Sequence, residues 1–130
     1  MKKEYLELIA KAKILAKKKK HNQHCTTADV GSALLTSKGN LYVGVNLDAS
    51  CGLGWCAENS AIAQMTTNQE TSIAAIVAVN HNTKIIPPCG RCRELIYQIN
   101  NSNLNTDIII SPTRVLKLKQ LLQERWQDAW

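Results

Sequence analysis

Ile73-Ala74-Ala75-Ile76-Val77-Ala78-Val79 is an unbroken apolar run of β-branched and small residues. A run of this length without polar alternation predicts a strand covered on both faces, at the centre of a sheet with helices on either side. Both flanks agree. Upstream, residues 57–66 read as a helix, and downstream residues 89–100 place Cys92, Ile96 and Ile99 at helical spacing after Pro87-Pro88. Residues 107–111 form a second buried-strand candidate, residues 114–117 a short last strand, and residues 118–126 a closing helix.

Working toward the N-terminus, residues 30–35 and 41–46 read as two strands joined by the turn residues Ser37-Lys38-Gly39-Asn40, a hairpin. Residues 47–55, with Gly52 and Gly54, are expected to be a loop, and so are the polar residues 21–29. The first twenty residues carry Tyr5, Leu8, Ile9, Ala12, Leu15 and Ala16 on one helical face. Strands interleaved with helices imply one α/β domain over residues 1–130, a three-layer α/β/α arrangement around a mixed sheet of about five strands.

Composition narrows the function. The chain has 130 residues, is 45% hydrophobic, and has no apolar run near the roughly 20 residues a membrane span needs. The basic start lacks an apolar stretch and cleavage site, so a cytoplasmic location is expected. The formal charge of +6 could suit an anionic partner, but much of the excess lies at Lys11, Lys13 and Lys17 to Lys20, as on a solvated helix face. Nucleic acid is therefore not the expected partner. Of the five cysteines, four lie between residues 51 and 92. An odd count fits a disulfide framework poorly and suits a metal or catalysis better.

Two clusters carry the chemistry: Cys56-Ala57-Glu58 and Pro88-Cys89-Gly90-Arg91-Cys92. Each opens a predicted helix, whose free N–H groups and dipole favour a thiolate. Cys89 and Cys92 are one helical turn apart, and Cys56 from the other helix completes three ligands for Zn2+. Three protein ligands leave a fourth position for water, as catalytic sites require. Glu58, two residues past Cys56, reaches the same space without binding metal and can take a proton from water, then deliver it to a departing amine. A structural zinc would instead need a fourth donor, from Cys51, Cys25, His21 or His24. The C-x-E and P-C-x-x-C pair favours the catalytic reading, being the signature of zinc-dependent base deaminases.

Residues 30–95 resemble the cytidine deaminase superfamily in its small homotetrameric branch. The segments Val30-Gly31-Ser32-Ala33-Leu34-Leu35 and Gly44-Val45-Asn46-Leu47-Asp48 carry the resemblance together with both cysteine clusters. Within that branch, nucleoside cytidine deaminases and blasticidin S deaminase are both similar, and Gly44-Val45-Asn46 with Pro88-Cys89-Gly90-Arg91-Cys92-Arg93 resembles the latter. The resemblance implies hydrolytic deamination of a free cytosine nucleoside or such an antibiotic. Cys56, Cys89 and Cys92 would hold zinc, Glu58 would shuttle protons, and the Ala57 backbone would read the pyrimidine edge. Asn46 and Asp48 would clasp ribose hydroxyls, and a tetramer is implied.

Many relatives place an Arg directly after the catalytic Glu, where this chain has Asn59. Arg91 would take over, hydrogen-bonding the sulfurs and offsetting their charge. The aromatic residue expected near the base is replaced at about Ala28, the chain having no Phe, and Trp55 could stand in for it. Trp126 and Trp130 would pack on the chain's own helices or help cover a neighbour's site. Deamination of a base within RNA or DNA, and a non-catalytic zinc-stabilised binding module, are the competing readings.

Overall fold

The computed structural model describes residues 1–130. Its elements are α1 (Lys3–Leu15), β1 (Lys19–Asn22), β2 (Cys25–Thr36), β3 (Leu41–Ala49), α2 (Ala57–Thr67), β4 (Ile73–Asn80), β5 (Ile85–Ile86), α3 (Gly90–Ile99), β6 (Asp107–Ser111), β7 (Arg114–Lys117) and α4 (Leu118–Leu121). A 3-10 turn, Asn101–Asn105, joins α3 to β6, and another covers Trp126–Ala129.

The apolar run is the central strand. β4 pairs antiparallel with β2 and parallel with β6, and the sheet continues through the antiparallel pairs β2–β3 and β6–β7. The five strands β3-β2-β4-β6-β7 form the mixed sheet expected. Two short strands, β1 against the start of β2 and β5 against the end of β4, raise the count to seven. Side chains alternate across the sheet. Ala33, Ala75, Val77, Val79 and Ile109 pack under Tyr5, Leu8, Ile9 and Ala12 of α1. On the other face, Leu34, Ile76 and Ile108 meet Ala61, Ile62 and Met65 of α2 and Ile96 and Tyr97 of α3. Three layers result.

Where α2 crosses β3 the backbones nearly touch. A Cβ on Gly44 would lie 2.4 Å from the Ala61 nitrogen and 2.5 Å from the Ser60 Cβ. Only glycine permits that approach, and it sets α2, with Cys56 at its start, close over the sheet.

Four boundaries differ from the sequence reading. The first helix stops at Leu15, and residues 19–22 and 25–29, expected as helix end and loop, form the β1–β2 hairpin. Its strand Lys-Lys-His-Asn is exposed throughout, so no apolar alternation announces it. The turn is closed by Asn22, whose Oδ1 accepts from the His24 N–H at 2.7 Å. β3 runs on to Ala49, into the expected loop. The last helix ends at Leu121, because the chain then bends back onto α3: Trp126 Nε1 donates to Glu94 Oε1 (2.8 Å), and the Arg125 guanidinium lies over Tyr97.

Candidate active site

Glu58 in the first turn of α2 and Pro88 just ahead of α3 line one small cavity with Ile76, Val77 and Ala78 of β4. Cys56 is the N-cap residue of α2, Cys89 is the N-cap of α3, and Cys92 sits in the first turn of α3. Neither cap uses a side-chain hydrogen bond, so both sulfurs are free for another partner. Cys56 Sγ is 3.4 Å from Cys89 Sγ, which is 3.5 Å from Cys92 Sγ. All three sulfurs lie within 4.8 Å of one another, and no fourth His, Cys, Asp or Glu joins them. Cys51, Cys25, His21 and His24 stand outside the cluster, which removes the four-ligand structural reading. Three soft sulfur donors converging from one side suit zinc.

The thiols titrate differently. Burial pushes Cys92 strongly up, aided by the charge of Glu58 and the neighbouring thiols. Cys56 is raised too, mainly by burial and then by its contact with Cys89. At Cys89 burial acts in the same sense but is outweighed by backbone N–H groups of Cys92 and Arg91 and by both thiols, so its pKa falls. The start of α3 thus favours one thiolate, as expected of helix N-termini.

Glu58 follows in the first turn of α2 and is 4% exposed. Burial raises its pKa, against the lowering effect of its own backbone N–H and of Cys92. Asn59 follows Glu58, and its Oδ1 is 3.7 Å from Cys92 Sγ.

A cavity of about 570 Å³ opens onto this cluster. It collects the sequence-derived residues Asn46, Asp48, Cys56, Ala57, Glu58, Cys89 and Arg91, together with Val30, Leu47, Trp55, Ile86 and Pro87. Cys92 lies behind, fully buried. The side-chain oxygen of Asn46 accepts from the Val30 N–H at 2.9 Å. This bond spans the irregularity in β2 at Ala28, whose φ is 61°, and leaves the Asn46 amide donors for a ligand. Arg91 is exposed and makes no hydrogen bond to a sulfur, unlike the arrangement expected. Ala28 is buried outside the cavity, and Val30 is the β2 residue that lines it. Ser60 was not foreseen: its Oγ accepts from Trp55 Nε1 (2.8 Å) and donates to the Val45 carbonyl (2.7 Å). Its place one turn after Cys56 was the available signal.

Residues 3–106 match the family described as the cytidine and deoxycytidylate deaminase zinc-binding region. The chain belongs to this family. With the three-sulfur cluster, that membership makes Zn2+ the cofactor. The chain is similar to a cytidine deaminase of Halalkalibacterium halodurans, 35% identical over 71 residues, or 54% of each chain. It is also similar to a blasticidin-S deaminase of Bacillus cereus, 36% identical over 76 residues, 52% of this chain and 54% of that one. These matches thus span about half the length of the curated relatives. Among solved structures, cytidine deaminase from Mycobacterium leprae superposes with a TM-score of 0.76 at 28% identity, over 92% of this chain and 98% of that one. No helix is long and apolar enough to cross a membrane.

Proposed function

We propose that the protein deaminates a free cytosine nucleoside hydrolytically: cytidine or deoxycytidine to the uracil nucleoside and ammonia, or a cytosine-nucleoside antibiotic such as blasticidin S. The observation that carries this reading is the buried Glu58 carboxyl on the same cavity as three converging thiols. A purely structural metal site has no use for that carboxyl.

In this reading Cys56, Cys89 and Cys92 hold zinc. When bound, zinc supplies Lewis acidity and activates water for attack. Glu58 accepts the proton lost by the attacking water as its oxygen adds to C4 of the ring. The same carboxyl delivers that proton to ring N3, then takes the remaining hydroxyl proton and gives it to the amino nitrogen. The C4–N bond breaks as the C4=O bond forms, and ammonia leaves. Glu58 ends as it began. The Ala57 N–H reads the pyrimidine edge in this reading, a role supported by its position in the first turn of α2, where it has no intrahelical acceptor. Asn46 donates from its free amide and Asp48 accepts, a pair suited to sugar hydroxyls. Arg91 contributes positive charge at the cavity wall without bonding a sulfur.

Reduced thiols suit a cytoplasmic location. Family resemblance supports a homo-oligomer, specifically a tetramer, which sedimentation of the zinc-loaded protein tests.

Ammonia release from cytidine, deoxycytidine and blasticidin S is the direct test of activity. Release from at least one is expected, and zinc-loaded protein inert toward all three overturns the proposal. Salt-dependent binding to single-stranded RNA, with deamination only in that polymer, would move the substrate to nucleic acid.

A further inference from the structure

The cavity has a single aromatic side chain in its lining, Trp55. Every polar group of this residue is fixed. Its N–H donates to the Leu47 carbonyl (2.9 Å), its carbonyl accepts from the Leu47 N–H (3.0 Å), and its indole Nε1 donates to Ser60. Ser60 is itself tied to the Val45 carbonyl. Gly54, just before it, allows the turn to close, since a Cβ there would meet the Leu47 oxygen at 2.5 Å. The residue is nevertheless 44% exposed. An indole anchored at its backbone and its nitrogen, with its apolar surface left open, loses little freedom when a ligand covers it.

The surroundings say which part of a ligand it meets. Trp55 directly precedes Cys56 and lines the same cavity as Cys56, Glu58 and Cys89, where the reacting ring must lie. Ile86 and Pro87 add apolar surface to the cavity, while Asn46 and Asp48 supply the groups suited to hydroxyls.

We infer that Trp55 is a specificity-determining residue, a fixed aromatic wall against which the planar heterocycle of the substrate stacks while its amino-bearing carbon is held at Glu58. This rests on the proposed function for the identity of the heterocycle. It assigns the stacking surface to the residue ahead of the first thiol, Val30 providing only aliphatic surface from β2. Stacking of this kind is sequence-tolerant, because every base has a π-face, so Trp55 favours a flat ring and leaves the choice of base to Glu58 and Ala57.

The test uses the zinc-loaded protein. With Trp126→Phe and Trp130→Phe, Trp55 becomes the sole indole, and its fluorescence is titrated with cytidine, uridine and methyl riboside. Quenching by both nucleosides and none by the riboside is expected. Trp55→Ala should raise KM for the cytosine nucleoside about 5- to 150-fold with kcat changed less than about threefold, and Trp55→Phe should recover most of the loss. Unchanged KM in Trp55→Ala, quenching by the riboside alone, or a changed oligomeric state with KM intact would overturn the inference. If no cytosine nucleoside releases ammonia, the proposed function fails by itself. Quenching by the nucleosides would still support a stacking wall, and its absence would reject one.

Discussion

At one end of the β4–β6 pair, Asp107 accepts hydrogen bonds from the Tyr5 hydroxyl and from Lys117 Nζ, the latter at 2.7 Å. At the other end, Cys56, Cys89, Cys92 and Glu58 crowd together with no basic side chain bonded to any of them. The first cluster is compensated. Burial alone would raise Asp107, but Lys117 and Tyr5 outweigh it and hold its carboxyl below the usual range. Tyr5 is raised by burial and by the carboxylate it faces. In the second cluster burial is the largest influence on Cys56, Cys92 and Glu58, and drives all three toward their neutral forms. One end of the sheet uses polar groups to fasten α1 to β6 and β7. The other gathers three groups, Cys56, Cys92 and Glu58, whose anionic forms burial disfavours and a bound cation would stabilise, which is where departures from self-sufficient packing are expected to serve function.

Breaking the uncompensated end should have the largest effect. Cys89→Ala removes one of three sulfurs, and zinc content should fall from near one per chain to a small fraction, with ammonia release down at least about 100-fold. Metal analysis beside an activity assay checks both. Zinc uptake should also displace the protons of Cys56 and Cys92, both held protonated by burial. Calorimetry in buffers of different ionisation heat should register that release, and zinc affinity should weaken as pH falls.

Packing comes next. Gly44→Ala drives a Cβ into the α2 backbone and should cost about 1–3 kcal/mol of stability, read as a lower thermal midpoint.

The compensated end gives the smallest change. Tyr5→Phe should cost about 1 kcal/mol and leave zinc content and turnover intact. Asp107 has a depressed folded pKa, so its contribution is present above its unfolded value of about 3.9 and is lost as pH falls below it. Tyr5, with a raised folded pKa, contributes fully below about pH 10. The mutational cost should therefore be flat between roughly pH 4 and 10 and shrink on the acid side, as urea unfolding at several pH values would show.

The two ends also differ in how far the sequence disclosed them. Cys56, Cys89 and Cys92 were legible because helix starts place N-cap and first-turn residues predictably, and Ile73–Asn80 because its apolar run admits one environment. The Tyr5–Asp107 pair joins residues 102 apart and left no local pattern. β1 was hidden for a different reason: its residues are all exposed, and backbone pairing with β2 alone makes it a strand. Arg91 shows the limit of spacing. Its position between the two cysteines suggested contact with the sulfurs, yet the side chain lies exposed on the cavity wall. Residue order fixes where a Cα sits on a helix turn, and the long guanidinium arm is placed by neighbours the order does not name.

In the proposed reaction Glu58 moves the proton of a hydrolysis while Cys56, Cys89 and Cys92 hold zinc. Ammonia release from cytidine or blasticidin S by wild type and Glu58→Gln, compared at equal measured zinc content, tests it most directly. The expected result is full zinc occupancy in both and a turnover loss of about 10²- to 10⁴-fold in the variant. Equal turnover by the two proteins would contradict it.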